Sequence, residues 1–230
     1  RQATAPSSVV SRWPPTGSSG SGTLSRSTAR PSAAVVRLRS RLSAAKWGDK
    51  IPHVRFHERR QEDYWYIGDS KLYGVGAFAQ AAWKEFPPSH PRHLSEALPA
   101  ALDPEKRLAY SDEVGVYYQV LYPNILGFHS HVFLNEMDQT LATECVQAYN
   151  DWLSEFCEAD PVRLIPMMML PFWDLDASVA ELERAHAMGH KGVLFSARYD
   201  AVGLPPLADD HWEPLLARAQ EMELSLNFHV

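Results

Sequence analysis

Apolar residues recur along the second half of the chain at two spacings, and each spacing predicts its own kind of element. From Thr143 to Glu158, Cys145, Ala148, Tyr149, Trp152, Leu153 and Phe156 fall on one face of a helix. Val179, Leu182 and Ala185 do the same between Asp176, a residue able to cap free N–H groups, and Met188. Gly189 then stops that helix near its C-cap. A third helix, His211 to Met222, turns Trp212, Leu215, Leu216 and Ala219 inward, with Asp209-Asp210 placed to cap it. Shorter apolar runs lie between the helices. Val116 to Leu121 reads as a strand ended by Tyr122-Pro123-Asn124. Arg163 to Leu170 carries the continuous run Leu164-Ile165-Pro166-Met167-Met168-Met169-Leu170, the pattern of a strand buried on both faces. Gly192 to Phe195 is the next strand, a loop with Pro205-Pro206 follows, and Leu224 to Val230 is the last.

Four strands therefore alternate with three helices, at spacings suited to right-handed β-α-β crossovers and a parallel sheet. Two closures satisfy that order, a doubly wound sheet and a (β/α)8 barrel. No Gly-x-Gly-x-x-Gly follows any strand, which weakens the dinucleotide-binding version. Four strands are half of a barrel.

The first half is less regular. Tyr64-Trp65-Tyr66-Ile67, Gly68-Asp69-Ser70 and Lys71-Leu72-Tyr73-Gly74-Val75 read as an aromatic hairpin inserted before the βα units. Phe86-Pro87-Pro88-Ser89-His90-Pro91 is a loop, and Asp103-Pro104 starts a helix. The predicted organisation is a segment 1–40 and an incomplete barrel domain 41–230. Within the latter, 46–99 is the irregular hairpin insertion and 100–230 the βα units. Residues 1–40 contain no Asp, Glu or His and run through Gly17-Ser18-Ser19-Gly20-Ser21-Gly22. Their Arg- and Ser-rich, acid-free composition is similar to an organelle transit peptide; the blander readings are a disordered tail or, preferred, a start translated in the wrong frame. The chain opens on Arg1 and stops at Val230 inside an apolar run, so both ends read as cut.

Charge and cysteine content narrow the partners. The net charge is −6, which leaves no basic field for a nucleic acid. No stretch approaches the roughly 20 apolar residues of a membrane span. Cys145 and Cys157 lie about three turns apart on one helix and cannot bond each other. A reducing, cytoplasmic setting and a small-molecule substrate are expected, with self-association into a homodimer left open.

Few residues suggest chemistry. His229 lies at the C-terminal end of its strand, where barrel enzymes place their catalytic groups, and a neutral imidazole there suits zinc. A buried, hydrogen-bonded strand histidine is the equal alternative. His129-Ser130-His131 has metal-gripping spacing, but it falls in a predicted loop that imposes no shared facing. Ser196, Arg198 and Tyr199 follow a strand on the same rim, and an arginine there can pair with a substrate carboxylate. Met167-Met168-Met169 reads as core, with Met169 or Pro171 near the rim. There is no serine nucleophile elbow, P-loop or Cys-x-x-Cys.

Several segments, in order, resemble the amidohydrolase-related family that includes aminocarboxymuconate-semialdehyde decarboxylase. They are Tyr122-Pro123-Asn124-Ile125-Leu126-Gly127-Phe128, Ala148-Tyr149-Asn150-Asp151-Trp152-Leu153 and Asp160-Pro161-Val162-Arg163-Leu164-Ile165-Pro166. Ala180-Glu181-Leu182-Glu183-Arg184-Ala185, Gly189-His190-Lys191-Gly192-Val193, Trp212-Glu213-Pro214-Leu215 and Leu226-Asn227-Phe228-His229 complete the series. The resemblance runs from about Leu42 to Val230. It implies a partial TIM-like barrel, with about strands 2–5 present, built around one divalent metal, usually zinc. In such enzymes a first-strand His-x-His or Glu-x-His pair, a fifth-strand histidine and an eighth-strand aspartate hold the ion. Only the fifth-strand histidine carries over, onto His229. The resemblance thus implies either hydrolysis by metal-bound water or decarboxylation with the metal on a substrate oxygen. The aromatics between Tyr64 and Trp83 could wall a pocket for a planar acid, which tilts the expectation toward decarboxylation. With one ligand of the set, the chain itself is expected to be inactive. The rival expectation is a pseudoenzyme or a binding module that uses the aromatic hairpin.

Overall fold

The structure, a computed structural model, describes residues 40–85, 88–123, 135–196 and 199–229. The expectations placed on residues 1–39, on His129 and His131, on Arg198 and on Val230 lie outside the described residues.

The first unit is an antiparallel sheet in the order β1 (His53–His57), β2 (Glu62–Ile67), β3 (Ser70–Gly74). β2 and β3 are the expected hairpin. β1 was not anticipated, because His53-Val54-Arg55-Phe56-His57 offers only two apolar residues to a strand pattern. Pairing supplies what the pattern lacks: Val54 lies opposite Trp65, and both pack against Val75 and Leu94. Buried Asp63 fastens the following loop, its carboxylate accepting from Leu94 N at 2.9 Å while its own N–H donates to Arg92 O at 2.8 Å. Gly76 lets that loop approach, since a Cβ there would sit 1.7 Å from the Pro91 carbonyl oxygen.

The second unit is the βα run. Helix α1 (Pro104–Val114) is capped by Asp103 and ends on Gly115, whose φ of 74° needs glycine. β4 (Gln119–Leu121) is shorter than expected, because Val116, Tyr117 and Tyr118 stay outside the sheet and exposed. α2 (Gln139–Cys157) begins four residues before the expected start at Thr143, since Asp138 accepts from Thr140 N and Leu141 N and starts it there. After β5 (Leu164–Met168), α3 (Leu175–Ala187) is capped by Asp174, not Asp176, through Ala177 N at 2.9 Å. β6 (Gly192–Ser196) leads through the Pro205-Pro206 loop to a short 3-10 turn capped by Asp209, then α4 (Glu213–Glu221) and β7 (Ser225–His229).

The four strands β4-β5-β6-β7 are all parallel, in chain order. Their outward residues make the core with the helices. Met168, Val193 and Phe195 meet Leu182, Leu215 and Trp212, and Leu164 meets Leu153 and Phe156. Met167, Met168 and Met169 are buried, as expected of core. The sheet curls. Tyr122, just past β4, donates its hydroxyl to Asn227 Oδ1 on β7 at 2.9 Å, although β5 and β6 lie between them. The sheet is therefore half of a TIM-like barrel, with Tyr122 and Asn227 on its concave side.

Candidate functional site: the carboxyl rim of the half-barrel

Every strand of the parallel sheet releases its chain at the same rim, so residues distant in sequence meet there. β6 ends on Ser196 and β7 on His229, and these two positions are partners in the parallel register. Two of the sequence-predicted site residues are thus brought side by side. Ser196 is held by its backbone, whose N–H donates to the Tyr199 hydroxyl at 3.2 Å. Tyr199 is itself fixed, stacked on Trp212 at 4.8 Å and packed against Phe172 at 4.8 Å. Burial pushes the Tyr199 phenol well above its ordinary range, so it serves as a neutral prop.

The end of β5 is held by a residue that sequence reasoning passed over. Asn150, fully buried on α2, accepts from Met169 N at 3.0 Å and donates to Met169 O at 2.9 Å. Its amide pairs with the strand end as a neighbouring strand would, and fixes Met169 where the chain turns toward Pro171. The same Nδ2 donates to Glu181 Oε1 at 2.6 Å, tying α2 to α3. Glu181 is buried and paired with Arg184, which also reaches Asp151. Arg184 is held above its ordinary range, first by its hydrogen bonds to Glu181. The available signal was a polar residue on the buried side of an amphipathic helix, four residues from Val146 and three from Leu153.

His190, at the opposite end of β6, is buried, with Nε2 at 3.0 Å from Ser154 Oγ and 3.2 Å from Asn150 O. Burial lowers its pKa to about 4, and it stays neutral at pH 7. It belongs to the packing below the rim.

A family profile described as Amidohydrolase matches residues 53–230. The chain belongs to the amidohydrolase family. One solved structure agrees in fold. An amidohydrolase from Mycobacterium avium subsp. paratuberculosis K-10 superposes with a TM-score of 0.64 at 19% identity, covering 87% of this chain and 55% of that one. A 2,6-dihydroxybenzoate decarboxylase from Rhizobium gives a TM-score of 0.46 at 25% identity, over 66% of this chain and 45% of its own. A 2,6-dihydroxybenzoate decarboxylase complexed with 2,6-dihydroxybenzoate gives 0.43 at 27%, over 54% and 38%. The chain thus spans about half or less of these structures' length. No curated protein matches it.

The family fold directs attention to a metal at this rim. Among the described residues no group of three or more His, Cys, Asp or Glu comes together to hold an ion. A structural or catalytic zinc takes roughly three or four protein ligands. The described residues therefore do not make a complete metal centre.

Proposed function

We propose that the protein is a carboxy-lyase of the amidohydrolase family, releasing carbon dioxide from a small carboxylate-bearing substrate. The observation that carries this reading is the pairing of Ser196 with His229 at the rim of a chain matched by the family over residues 53–230. Ser196 and Arg198 are assigned to the substrate carboxylate, the arginine by its capacity for paired hydrogen bonds. His229 is assigned as one ligand of a divalent metal, zinc in our reading, in the complete enzyme. Decarboxylation breaks the bond to the carboxylate carbon and leaves its electron pair on the neighbouring carbon, which then takes up a proton. With His229 the one ligand assigned, the 230-residue chain is proposed to be inactive alone.

Two measurements test this. Purified from zinc-supplemented medium, the chain is expected to carry far less than one zinc per molecule; stoichiometric zinc would overturn the incomplete site. A longer reading frame containing these residues is expected to release carbon dioxide from a panel of aromatic acids. That activity should disappear on chelation and in His229→Ala, and its KM should rise in Arg198→Gln. Ester or amide hydrolysis without carbon dioxide release from any acid would make the protein a hydrolase instead.

A further inference from the structure

We propose that the β1–β2 turn and the start of β3 form a binding site for a phosphate-bearing small molecule, separate from the rim chemistry. His57, Arg59, Arg60 and Lys71 line an open cavity of about 300 Å³ there. Three permanent cations and an imidazole converge at one place on a chain whose net charge is −6. Among the described residues, Arg59, Arg60 and Lys71 make no ion pair, whereas Arg55 on the same sheet is paired with Asp69.

The backbone of the turn is held by its own hydrogen bonds, which fix where Arg59 and Arg60 leave the chain. Arg60 N and Gln61 N both donate to His57 O, at 3.1 and 2.9 Å. Gln61 takes the left-handed conformation, φ 55°, and its side chain donates to Glu58 O at 2.7 Å. Arg60 N also donates to His57 Nδ1 at 3.2 Å, which makes that nitrogen the acceptor. The neutral ring then carries its hydrogen on Nε2, leaving a donor for an anion. The sheet face below the turn holds the remaining cation: Lys71 Nζ lies 4.5 Å from the Tyr64 ring centre, and the His57 ring is 5.3 Å from that of Tyr64. Glu62, opposite His57 in the register, has its carboxylate 3.9 Å from His90 Nε2.

The chemistry of these donors selects the ligand. Two guanidinium forks, an ammonium and an imidazole N–H exceed what the two oxygens of one carboxylate accept. A phosphate monoester presents three acceptor oxygens and a charge near −2, which matches them. The cavity has more room than a bare ion needs, which favours an ester over inorganic phosphate.

The test is an NMR titration of the full chain with inorganic phosphate and with phenyl phosphate, against chloride at matched ionic strength. Saturable shifts are expected at residues 57–62 and 71, with phenyl phosphate binding at least as tightly as inorganic phosphate. The double variant Arg60→Gln/Lys71→Gln, its fold checked by circular dichroism, should weaken binding roughly two- to thirtyfold, the range for two exposed charge pairs. Should that pair disturb the sheet, Arg59→Gln in the exposed turn carries a smaller expected loss, roughly two- to fivefold. Shifts that do not saturate, that chloride reproduces, or that keep their affinity in the folded variants would overturn the site. Tighter binding of inorganic phosphate would overturn the assignment to an ester.

Discussion

The hydroxyl of Tyr122 and the side-chain oxygen of Asn227 lie 2.9 Å apart, although two strands separate the elements that carry them. In a flat sheet, three inter-strand spacings would put the backbones roughly 14 Å apart, beyond the reach of these two side chains facing the same way. The bond therefore records the inward curl that makes this sheet half of a barrel. Tyr122→Phe removes the donor and leaves the ring. Because Tyr122 is more than a third exposed, water can replace the lost partner, and the cost should fall near the low end for a hydrogen bond, about 0.5–1 kcal/mol. Urea unfolding of the two proteins checks the value. No change at all would mean that backbone pairing alone sets the curl.

Asn150 should be far less forgiving. Asn150→Ala strands Met169 N–H and C=O in a dry interior and takes a donor from Glu181, which is itself buried. Each stranded group costs on the order of 1–3 kcal/mol, so a loss of about 3 kcal/mol or more is expected. Asn150→Asp should be at least as damaging, since it sets a second carboxylate beside Glu181. Equilibrium unfolding measures both, and the exchange rate of the Met169 amide reports whether the rim end of β5 has come loose. A cost below about 1 kcal/mol, the size of one ordinary hydrogen bond, would mean that the loop after β5 is held by other contacts.

How much was legible follows from where the information sits. The stripes of α2 and α4 state their own burial, and the apolar run of β5 could only be core. Element starts were less visible, because a cap is a single residue outside the stripe: Asp138 precedes the pattern of α2, and Asp174 was passed over for Asp176. β1 was invisible locally, since its strand character comes from pairing with β2 across a turn. The rim placement of Ser196 and His229 followed from strand ends alone, yet their adjacency depends on register. The cluster around Arg59 and Arg60 needed the turn's geometry before it amounted to more than surface charge.

The two cysteines give a prediction with a simple readout. Cys145 and Cys157 are free and buried, and burial raises both thiols to about 12. The thiolate is the reactive form, so neither should be attacked at pH 8 while the chain is folded. A thiol-specific chromogenic disulfide should modify neither in native buffer and both in denaturant. Rapid modification without denaturant would show that α2 opens locally.

His190 makes stability depend on pH in a definite direction. Its folded pKa is about 4, lowered first by burial, against about 6.5 for an unfolded histidine. Between those values the unfolded chain binds a proton that the folded chain does not, so stability falls as pH falls. The contribution is whole above pH 6.5, declines through the window, and is gone near pH 4. A shift of this size corresponds to on the order of 3 kcal/mol. Every group whose protonation differs between the folded and unfolded chain adds to the slope, so a variant is needed to isolate the histidine. His190→Gln keeps a side-chain donor toward Asn150 O and cannot titrate. Unfolding free energies at pH 7 and pH 5 should differ less in that variant than in the wild type, by about 2 kcal/mol. Equal slopes in the two proteins would mean that His190 is protonated as readily inside the fold as outside it.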